Sequence, residues 1–221
     1  MIPQQHLKSY VRRNGRLTNT QKLFFENKES NINFFNIDKV LDFKKLFNNS
    51  NPCVLDIGFG DGKLLTSIAK KFPAINFIGI EVYESGVGNI LKQISEDELD
   101  NLKISSDDAV VILNNFIQDN SLFGVSLFFP DPWPKKKHHK RRIINSNFLD
   151  LIRKKIQKNG FVKIATDWSN YGEDIISLFE EYNNFEKTND IFLFEERCLT
   201  KFEKRGIALG YKITDLCYKL K

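Results

Sequence analysis

The chain has 221 residues, of which 41% are hydrophobic and 28% are charged, values ordinary for a single water-soluble globular domain. No apolar run approaches the ~18 residues that a membrane span requires, and the first ten residues lack the apolar stretch of a secretory signal, so we expect a cytoplasmic protein. The three cysteines, Cys53, Cys198 and Cys217, lie far apart, and only three histidines are present. This composition argues against disulfide bonds and against a metal site.

The net charge of +5 comes from 33 Lys and Arg residues against 28 Asp and Glu residues. Six of the cations fall within residues 135–142, so the rest of the chain is slightly acidic. Such a local concentration of positive charge is typical of a protein that binds a polyanion.

Residues 1–50 are polar and contain a basic arm, YVRRNGRLTNTQ (10–21), which we interpret as an N-terminal extension of one domain at 51–221. From Cys53 onward, short apolar runs alternate with segments whose apolar residues recur at helical spacing. The predicted strands are 53–58, 76–82, 102–105, 124–129 and 160–167. Two further apolar stretches, near 191–195 and 211–220, follow without a long helix between them. Strands that alternate with helices predict a doubly wound α/β sheet.

Ligands of such sheets bind at the carboxyl ends of the strands, so we expect functional residues just after strands one, two, four and five. The segment DIGFGDGK (56–63) follows strand one, and its glycines 58, 60 and 62 are spaced G-x-G-x-G. Lys63 replaces the third glycine of a dinucleotide-binding loop, and no phosphate-binding G-x-x-x-x-G-K-[ST] loop is present. An alternative adenosine ligand, which carries no phosphate, is S-adenosylmethionine, and acidic residues should line a pocket for its positive sulfonium and amino groups.

Three acidic residues at the predicted strand ends suit that ligand. Asp56 lies in the strand-one motif, and Glu81 ends strand two, where a carboxylate can accept hydrogen bonds from both ribose hydroxyls. Asp108 follows strand three and either accepts from the adenine amino group or caps the next helix, a role that Asp107 can also fill. The glycine loop and Glu81 together predict a class I methyltransferase fold.

Five segments of the chain resemble the bacterial tRNA (guanine-N7)-methyltransferase family. They are FFPDPWPKKKHHKRR (128–142), ATDW (165–168), TKFEKRG (200–206), YVRRNGRLTNTQ (10–21) and FIGIEVYESGVG (77–88), and the match spans about residues 10–217. The resemblance implies methyl transfer from S-adenosylmethionine to N7 of guanosine 46 in the variable loop of tRNA. It also implies a Rossmann-like, seven-stranded class I methyltransferase sheet, mostly parallel, with a reversed C-terminal hairpin.

Carried over to the matching positions, the resemblance makes Asp131 the catalytic residue. It implies cofactor binding by Asp56, Gly58, Gly60, Glu81, Asp108 and Asp131. It implies substrate binding by Lys135, Asp167, Thr200, Lys201, Phe202 and Glu203. Within the last segment, Lys201, Lys204 and Arg205 suit a phosphate or the cofactor carboxylate, whereas Glu203 suits either guanine or one of those cations.

The chemistry at guanine N7 needs no general base, because this nitrogen has an exposed lone pair and no proton. The work left to the protein is alignment and electrostatic stabilisation. Guanine N1–H and its exocyclic amino group form a donor pair that one carboxylate, Asp131 or Asp167, can accept. Pro130, Pro132 and Pro134 flank Asp131, and we expect each proline to hold the residue before it in an extended conformation.

The run that follows Asp131 is expected to bind tRNA phosphates. Its predicted RNA contacts are Lys137, His138, His139, Lys140, Arg141 and Arg142. The competing interpretation is a solvated loop without a single structure. Arg12, Arg13 and Arg16 of the basic arm would extend the same surface.

Two other functions compete with this reading. A methyltransferase acting on an exocyclic amine is disfavoured, because such enzymes often carry [DNS]-P-P-[YF] after strand four, whereas this chain has D-P-W. A non-catalytic RNA-binding protein on a methyltransferase fold is disfavoured by the complete glycine loop and Glu81. The sequence contains no signal for the oligomeric state.

Overall fold

The computed structural model describes residues 8–11, 16–36, 39–189, 191–195 and 197–221. Seven strands form one sheet in the order β3-β2-β1-β4-β5-β7-β6. They are β1 Cys53–Ile57, β2 Asn76–Ile80, β3 Leu102–Ser105, β4 Leu122–Phe128, β5 Ile156–Thr166, β6 Phe185–Lys187 and β7 Thr214–Leu220. Strands β1 to β5 are parallel, and β7 runs antiparallel to both β5 and β6. The predicted α/β sheet with a reversed C-terminal hairpin is confirmed.

The helices cover both faces of the sheet. They are α1 Asn19–Glu26, α2 Phe43–Phe47, α3 Lys63–Lys71, α4 Glu84–Asp97, α5 Ala109–Asn115, α6 Ser146–Lys155, α7 Ser169–Glu181 and α8 Lys201–Ala208. Apolar residues of α3 and α4 pack in one core cluster, and those of α5, α6 and α7 pack in the other. Strand β1 serves both clusters because successive side chains alternate: Val54 faces the first cluster, and Leu55 faces the second.

The C-terminal region differs from the sequence prediction. The stretch near 191–195 is not a strand; its core is a short 3₁₀ turn, Phe192–Phe194, and the strand paired with β7 is β6, at 185–187. The turn carries Leu193 and Phe194 into the core, where the Phe194 ring lies 5.8 Å from that of Phe161. The apolar pattern near 191–195 therefore predicted burial correctly, but its prediction of a strand was wrong. The eight-residue helix α8 lies between the last two strands.

The N-terminal segment packs onto the sheet domain. Helix α1 lies so close to α4 that a Cβ added at Gly88 would be 2.2 Å from the backbone oxygen of Gln21. Phe34 forms a parallel bridge with Ile104 of the edge strand β3 and is buried, as is Phe47. None of the helices within the described ranges is long and apolar enough to cross a membrane.

Candidate active site

The glycine loop after β1 is held by the end of β2. Gly58 and Gly60 have φ values of +76° and +62°, a left-handed conformation that favours glycine. The Gly58 amide donates to the Ile80 carbonyl at 2.8 Å, and the Gly60 amide donates to the Glu81 carboxylate at 2.9 Å. Glu81 also accepts hydrogen bonds from the amides of Val82 and Tyr83, at 2.7 and 3.0 Å. One carboxylate thus fixes both the loop and the start of α4.

Asp56 and Glu81 form a buried acidic pair at the carboxyl ends of β1 and β2. Asp56 accepts a hydrogen bond of 2.6 Å from the Ser126 hydroxyl of β4. Burial raises the pKa of Asp56 to about 7, the Ser126 bond opposes this shift, and the Glu81 charge adds to it. Burial also raises the pKa of Glu81, and the nearby Asp131 charge contributes to that rise. A positively charged ligand would offset the cost of ionising both carboxylates.

Two connected pockets open at this edge of the sheet. The glycine-loop pocket is lined mainly by Asp56, Gly58, Gly60, Lys63, Thr200, Lys201 and Phe202. The aspartate pocket is lined mainly by Gly58, Glu81, Asp108, Phe129, Asp131 and Phe202. Lys135, Asp167 and Glu203 are absent from the linings of these two pockets in the described chain. The structure therefore brings together all six predicted cofactor residues and three of the six predicted substrate residues.

Asp108 is both a helix cap and a pocket residue. Its carboxylate accepts from the Val110 amide at 2.9 Å at the start of α5, whereas Asp107 accepts from the Ser105 hydroxyl. The sequence left open which aspartate caps the helix, and the structure selects Asp108. Capping does not remove Asp108 from the aspartate pocket, so the two readings of this residue are compatible.

The loop that carries Asp131 does not have the expected extended backbone. Phe129 and Trp133, each followed by a proline, have φ values of +55° and +46°. A left-handed conformation is energetically unfavourable for such residues, and tertiary hydrogen bonds stabilise it here. The Phe129 amide donates to the Ala165 carbonyl at 2.7 Å, and the Trp133 indole donates to the Ser9 carbonyl at 2.9 Å. Asp131 lies between these two fixed residues and is exposed.

The basic segment after Asp131 has a defined structure: residues Lys136–Arg141 form a 3₁₀ helix. Its side chains Lys137 and Lys140 are exposed. The Arg141 guanidinium lies 4.0 Å from the centre of the Trp133 ring, and its Nε donates to the Lys8 carbonyl at 3.2 Å. Arg16 of the basic arm is also exposed, whereas Arg12 and Arg13 lie outside the described residues.

Arg142 differs from the other cations of this run because its side chain is buried. It forms an ion pair with Asp174, donates to Asn170 at 3.0 Å, and packs over the Tyr171 ring, all on α7. Its Nε donates to the Pro132 carbonyl at 2.8 Å. The sequence prediction of an RNA contact is therefore revised for Arg142, whose guanidinium ties the Asp131 loop to α7.

Glu203 is likewise an internal residue. It is 5% exposed and accepts a hydrogen bond of 2.8 Å from Arg197, which also donates to Asp215 of β7 at 3.0 Å. Glu203 and Thr200 form a capping box at the start of α8. The sequence analysis allowed Glu203 either guanine or one of Lys201, Lys204 and Arg205 as its partner, whereas the structure pairs it with Arg197, which is none of these. The sequence did not indicate Arg197 or Ser126 as functional residues. The only signal for Ser126 is that it is a polar residue within an apolar strand.

A seven-stranded sheet with reversed final hairpin, a glycine loop and a strand-two acid define a class I S-adenosylmethionine-dependent methyltransferase. The solved structures with this fold include a 16S rRNA methyltransferase KamB, at TM-score 0.59 and 14% identity, over 84% of this chain and 96% of that one. A methyltransferase of Aquifex aeolicus matches at TM-score 0.52 and 13% identity, over 81% and 88% of the two chains.

Sequence comparison resolves the family. Residues 50–216 match a family model described as "Putative methyltransferase". A tRNA (guanine-N(7)-)-methyltransferase of Colwellia psychrerythraea is 44% identical over 97% of this chain and 90% of its own. One of Francisella philomiragia is 44% identical over 97% and 95%. The chain belongs to the tRNA (guanine-N(7)-)-methyltransferase family.

The cofactor of this class, S-adenosylmethionine, fits the residues present. The buried carboxylates of Asp56 and Glu81 suit its positive groups, because no lysine or arginine in the described ranges forms an ion pair with either. Lys63, Lys201 and Lys204 line the glycine-loop pocket and suit its carboxylate.

Gly86 provides a test of the cofactor loop. A Cβ at this position would be 2.3 Å from the Gly60 backbone oxygen and 3.0 Å from Glu81 Cγ. We expect Gly86→Ala to displace the loop, weaken S-adenosylmethionine binding by about tenfold or more, and destabilise the protein by about 1–3 kcal/mol. Gly88→Ala, two residues along the same helix, is the matched control, since its Cβ would meet α1 instead. Calorimetry that shows equal cofactor affinity for both variants would contradict this prediction.

Cofactor binding should also depend on pH through Asp56. A pKa raised to about 7 favours the protonated folded state, so the Asp56 contribution to stability is full below the unfolded pKa and is lost as pH rises through 7. A cationic ligand favours ionised Asp56, so the cofactor affinity should rise about tenfold from pH 6 to pH 8. Asp56→Asn should flatten this pH profile of cofactor affinity. Any pH dependence that the variant retains comes from titration of the cofactor itself and can be subtracted from the wild-type profile. Ser126→Ala should move the midpoint to higher pH.

Proposed function

We propose that this protein transfers the methyl group of S-adenosylmethionine to N7 of guanosine 46 in the variable loop of tRNA. The observation that carries the proposal is the connection between the two pockets: Gly58, Gly60 and Phe202 line both. A cofactor on the glycine loop would thus lie beside Asp131. The names of the relatives supply the substrate, and the exposed cations next to Asp131 supply a surface for its phosphates.

The pocket residues have separate tasks in this reaction. When bound, S-adenosylmethionine supplies a methyl group on a positive sulfur. Asp56 and Glu81 hold the positive charge and the ribose, and Asp108 accepts a hydrogen bond from adenine. Asp131 accepts hydrogen bonds from the guanine N1–H and amino group, which orients N7 and favours the positive charge that develops on the ring. No residue has to remove a proton, because N7 has none.

A direct assay tests the proposal. The protein is incubated with labelled S-adenosylmethionine and bulk tRNA, and the product is reduced and cleaved with aniline at 7-methylguanosine. Cleavage at position 46 is the expected result. A label on an exocyclic amine would support the amine methyltransferase, and cofactor binding without transfer would leave the RNA-binding alternative; no observation in the structure favours either one.

The exposed cations of the basic segment should set the salt dependence of tRNA binding. Without Arg142, five cations remain, and if all five contact phosphates the slope of log K against log salt is about −3.5 to −4.5. Lys137→Gln with Lys140→Gln should reduce that slope by roughly 1.5 and leave cofactor affinity unchanged. Lys154→Gln with Lys158→Gln is the control, since both residues are exposed near the opposite end of β5. An unchanged slope in the first variant would count against the RNA-binding role.

A further inference from the structure

Helix α8 borders both pockets, yet it is not anchored by apolar side chains in the core. All eight of its residues are described, and the two that are buried are Glu203 and Gly206. Most helices of globular proteins are held by an apolar stripe that packs against the core. The position of α8 must therefore depend largely on polar contacts.

The guanidinium of Arg197 supplies such contacts. Its Nη1 donates to one oxygen of the Glu203 carboxylate, and its Nη2 donates to the other at 2.8 Å. Nη2 also donates to Asp215 of β7 at 3.0 Å. The side chains of Arg197 and Glu203 are only 7% and 6% exposed, so solvent screens this bidentate pair little. Arg197 thus ties the first turn of α8 to the last strand of the sheet.

Helix α8 in turn contacts three parts of the active site. Its first turn lines the glycine-loop pocket. The Phe202 ring lies against the ring of Phe129, with centroids 6.5 Å apart, and Phe129 lies at the start of the loop that carries Asp131. A Cβ added at Gly206 would be 3.0 Å from the Cβ of Asp167, so the helix packs closely against this residue as well. A displacement of α8 would therefore disturb the cofactor pocket and both carboxylates that could bind guanine.

Arg197 reaches the pockets by a second route as well. Its guanidinium carbon lies 5.1 Å from the centre of the Phe128 ring, and Phe128 lines both pockets. Arg197 itself is absent from the linings of these two pockets in the described chain. It can therefore influence a bound ligand only through the residues that it holds.

We propose that Arg197 is a positioning residue of the active site, which holds Glu203, and through it α8, where Lys201 and Phe202 meet the cofactor and the substrate. The part of this inference that concerns tRNA rests on the proposed function, whereas the part that concerns the cofactor does not. A misplacement of about 1 Å caused far from the reacting atoms can lower a rate about 100-fold. An ion pair outside the pockets can therefore control activity, and it gives Glu203 a role that needs no contact with guanine.

Replacing Arg197 with glutamine tests this role. Arg197→Gln should raise the Kd for S-adenosylmethionine about tenfold and lower kcat/KM for tRNA about 100-fold. Lys163→Gln is the matched control, because Lys163 is also largely buried and also pairs with Asp215, but its described hydrogen bond does not reach α8. The control should stay within about threefold of wild type in both quantities. Equal losses in the two variants would overturn the proposal.

A conservative variant separates positioning from a general loss of stability. Arg197→Lys keeps the buried charge, so it should fold, but one ammonium cannot reproduce the bidentate contact with Glu203. We expect it to raise the cofactor Kd about three- to fivefold. Calorimetry and kinetics are performed well below the unfolding midpoint of each variant, where lower stability alone leaves the Kd unchanged. Wild-type Kd and kcat/KM in Arg197→Lys would overturn the positioning role.

A double-mutant cycle tests whether Arg197 acts through Glu203. If it does, the cofactor Kd of Arg197→Gln with Glu203→Gln should be close to that of Arg197→Gln alone. A Kd that shows the product of the two single effects would contradict this route. A wild type that binds S-adenosylmethionine but forms no 7-methylguanosine would refute the proposed function alone, because the cofactor measurements would still decide the role of Arg197.

Discussion

Replacing Asp131 with asparagine is expected to lower the rate of methyl transfer to tRNA by about 100-fold or more at saturating cofactor. The substitution keeps the size of the side chain but removes its charge, and its amide group places a donor against the donor pair of guanine. The loss of one fixed electrostatic contact to the reacting group is typically about 10²–10³-fold in rate. Single-turnover kinetics give the methyl-transfer step directly.

Two controls accompany the Asp131 experiment. Thermal unfolding should be close to that of wild type, because Asp131 is exposed, and cofactor affinity should fall far less than the rate. A near-normal rate in a folded Asp131→Asn variant would exclude a catalytic role. If the loss appears in Asp167→Asn instead, Asp167 reads the guanine edge, which is the alternative that the sequence left open.

Arg142 and Arg141 are adjacent in sequence, but their substitutions should affect different properties, stability for Arg142 and tRNA binding for Arg141. Arg142→Ala removes a buried cation that bonds to Asp174, Asn170 and Pro132, and we expect a loss of about 2–4 kcal/mol in the free energy of unfolding. Arg141→Ala should cost less than about 1 kcal/mol and weaken tRNA binding. Urea denaturation and tRNA titration of the two variants measure both quantities.

Arg142→Lys sharpens the comparison, because it keeps the charge and loses the planar fork of the guanidinium. It should recover only part of the lost stability, since an ammonium cannot reach Pro132 and α7 together. Equal destabilisation by Arg142→Ala and Arg141→Ala would contradict the role that the structure gives to Arg142.

The parallel part of the fold and the glycine loop that lines both pockets were predictable because their signals are local. Strands β1 to β4 and the second half of β5 are short apolar runs, and the glycine loop is recognisable from the spacing of its glycines. Other features depend on contacts that are distant in sequence. Arg141 and Arg142 look identical in the run KKKHHKRR, and the buried one is distinguished by contacts with α7 about 30 residues later, such as the ion pair with Asp174. Similarly, the prolines predicted extended neighbours, but hydrogen bonds to Ala165 and Ser9 stabilise left-handed Phe129 and Trp133.

Three of the contacts that hold the segment Lys8–Val11 on the domain are made by its backbone carbonyls. Backbone carbonyls of Lys8, Ser9 and Val11 accept hydrogen bonds from Arg141, Trp133 and Tyr83. Carbonyl acceptors place no requirement on the side chains that carry them. Substitutions at these three positions should therefore preserve the three hydrogen bonds, whereas the three donor side chains have to be retained. Lys8, Ser9 and Val11 are therefore suitable positions for a reporter group near the aspartate pocket, which Ser9 lines.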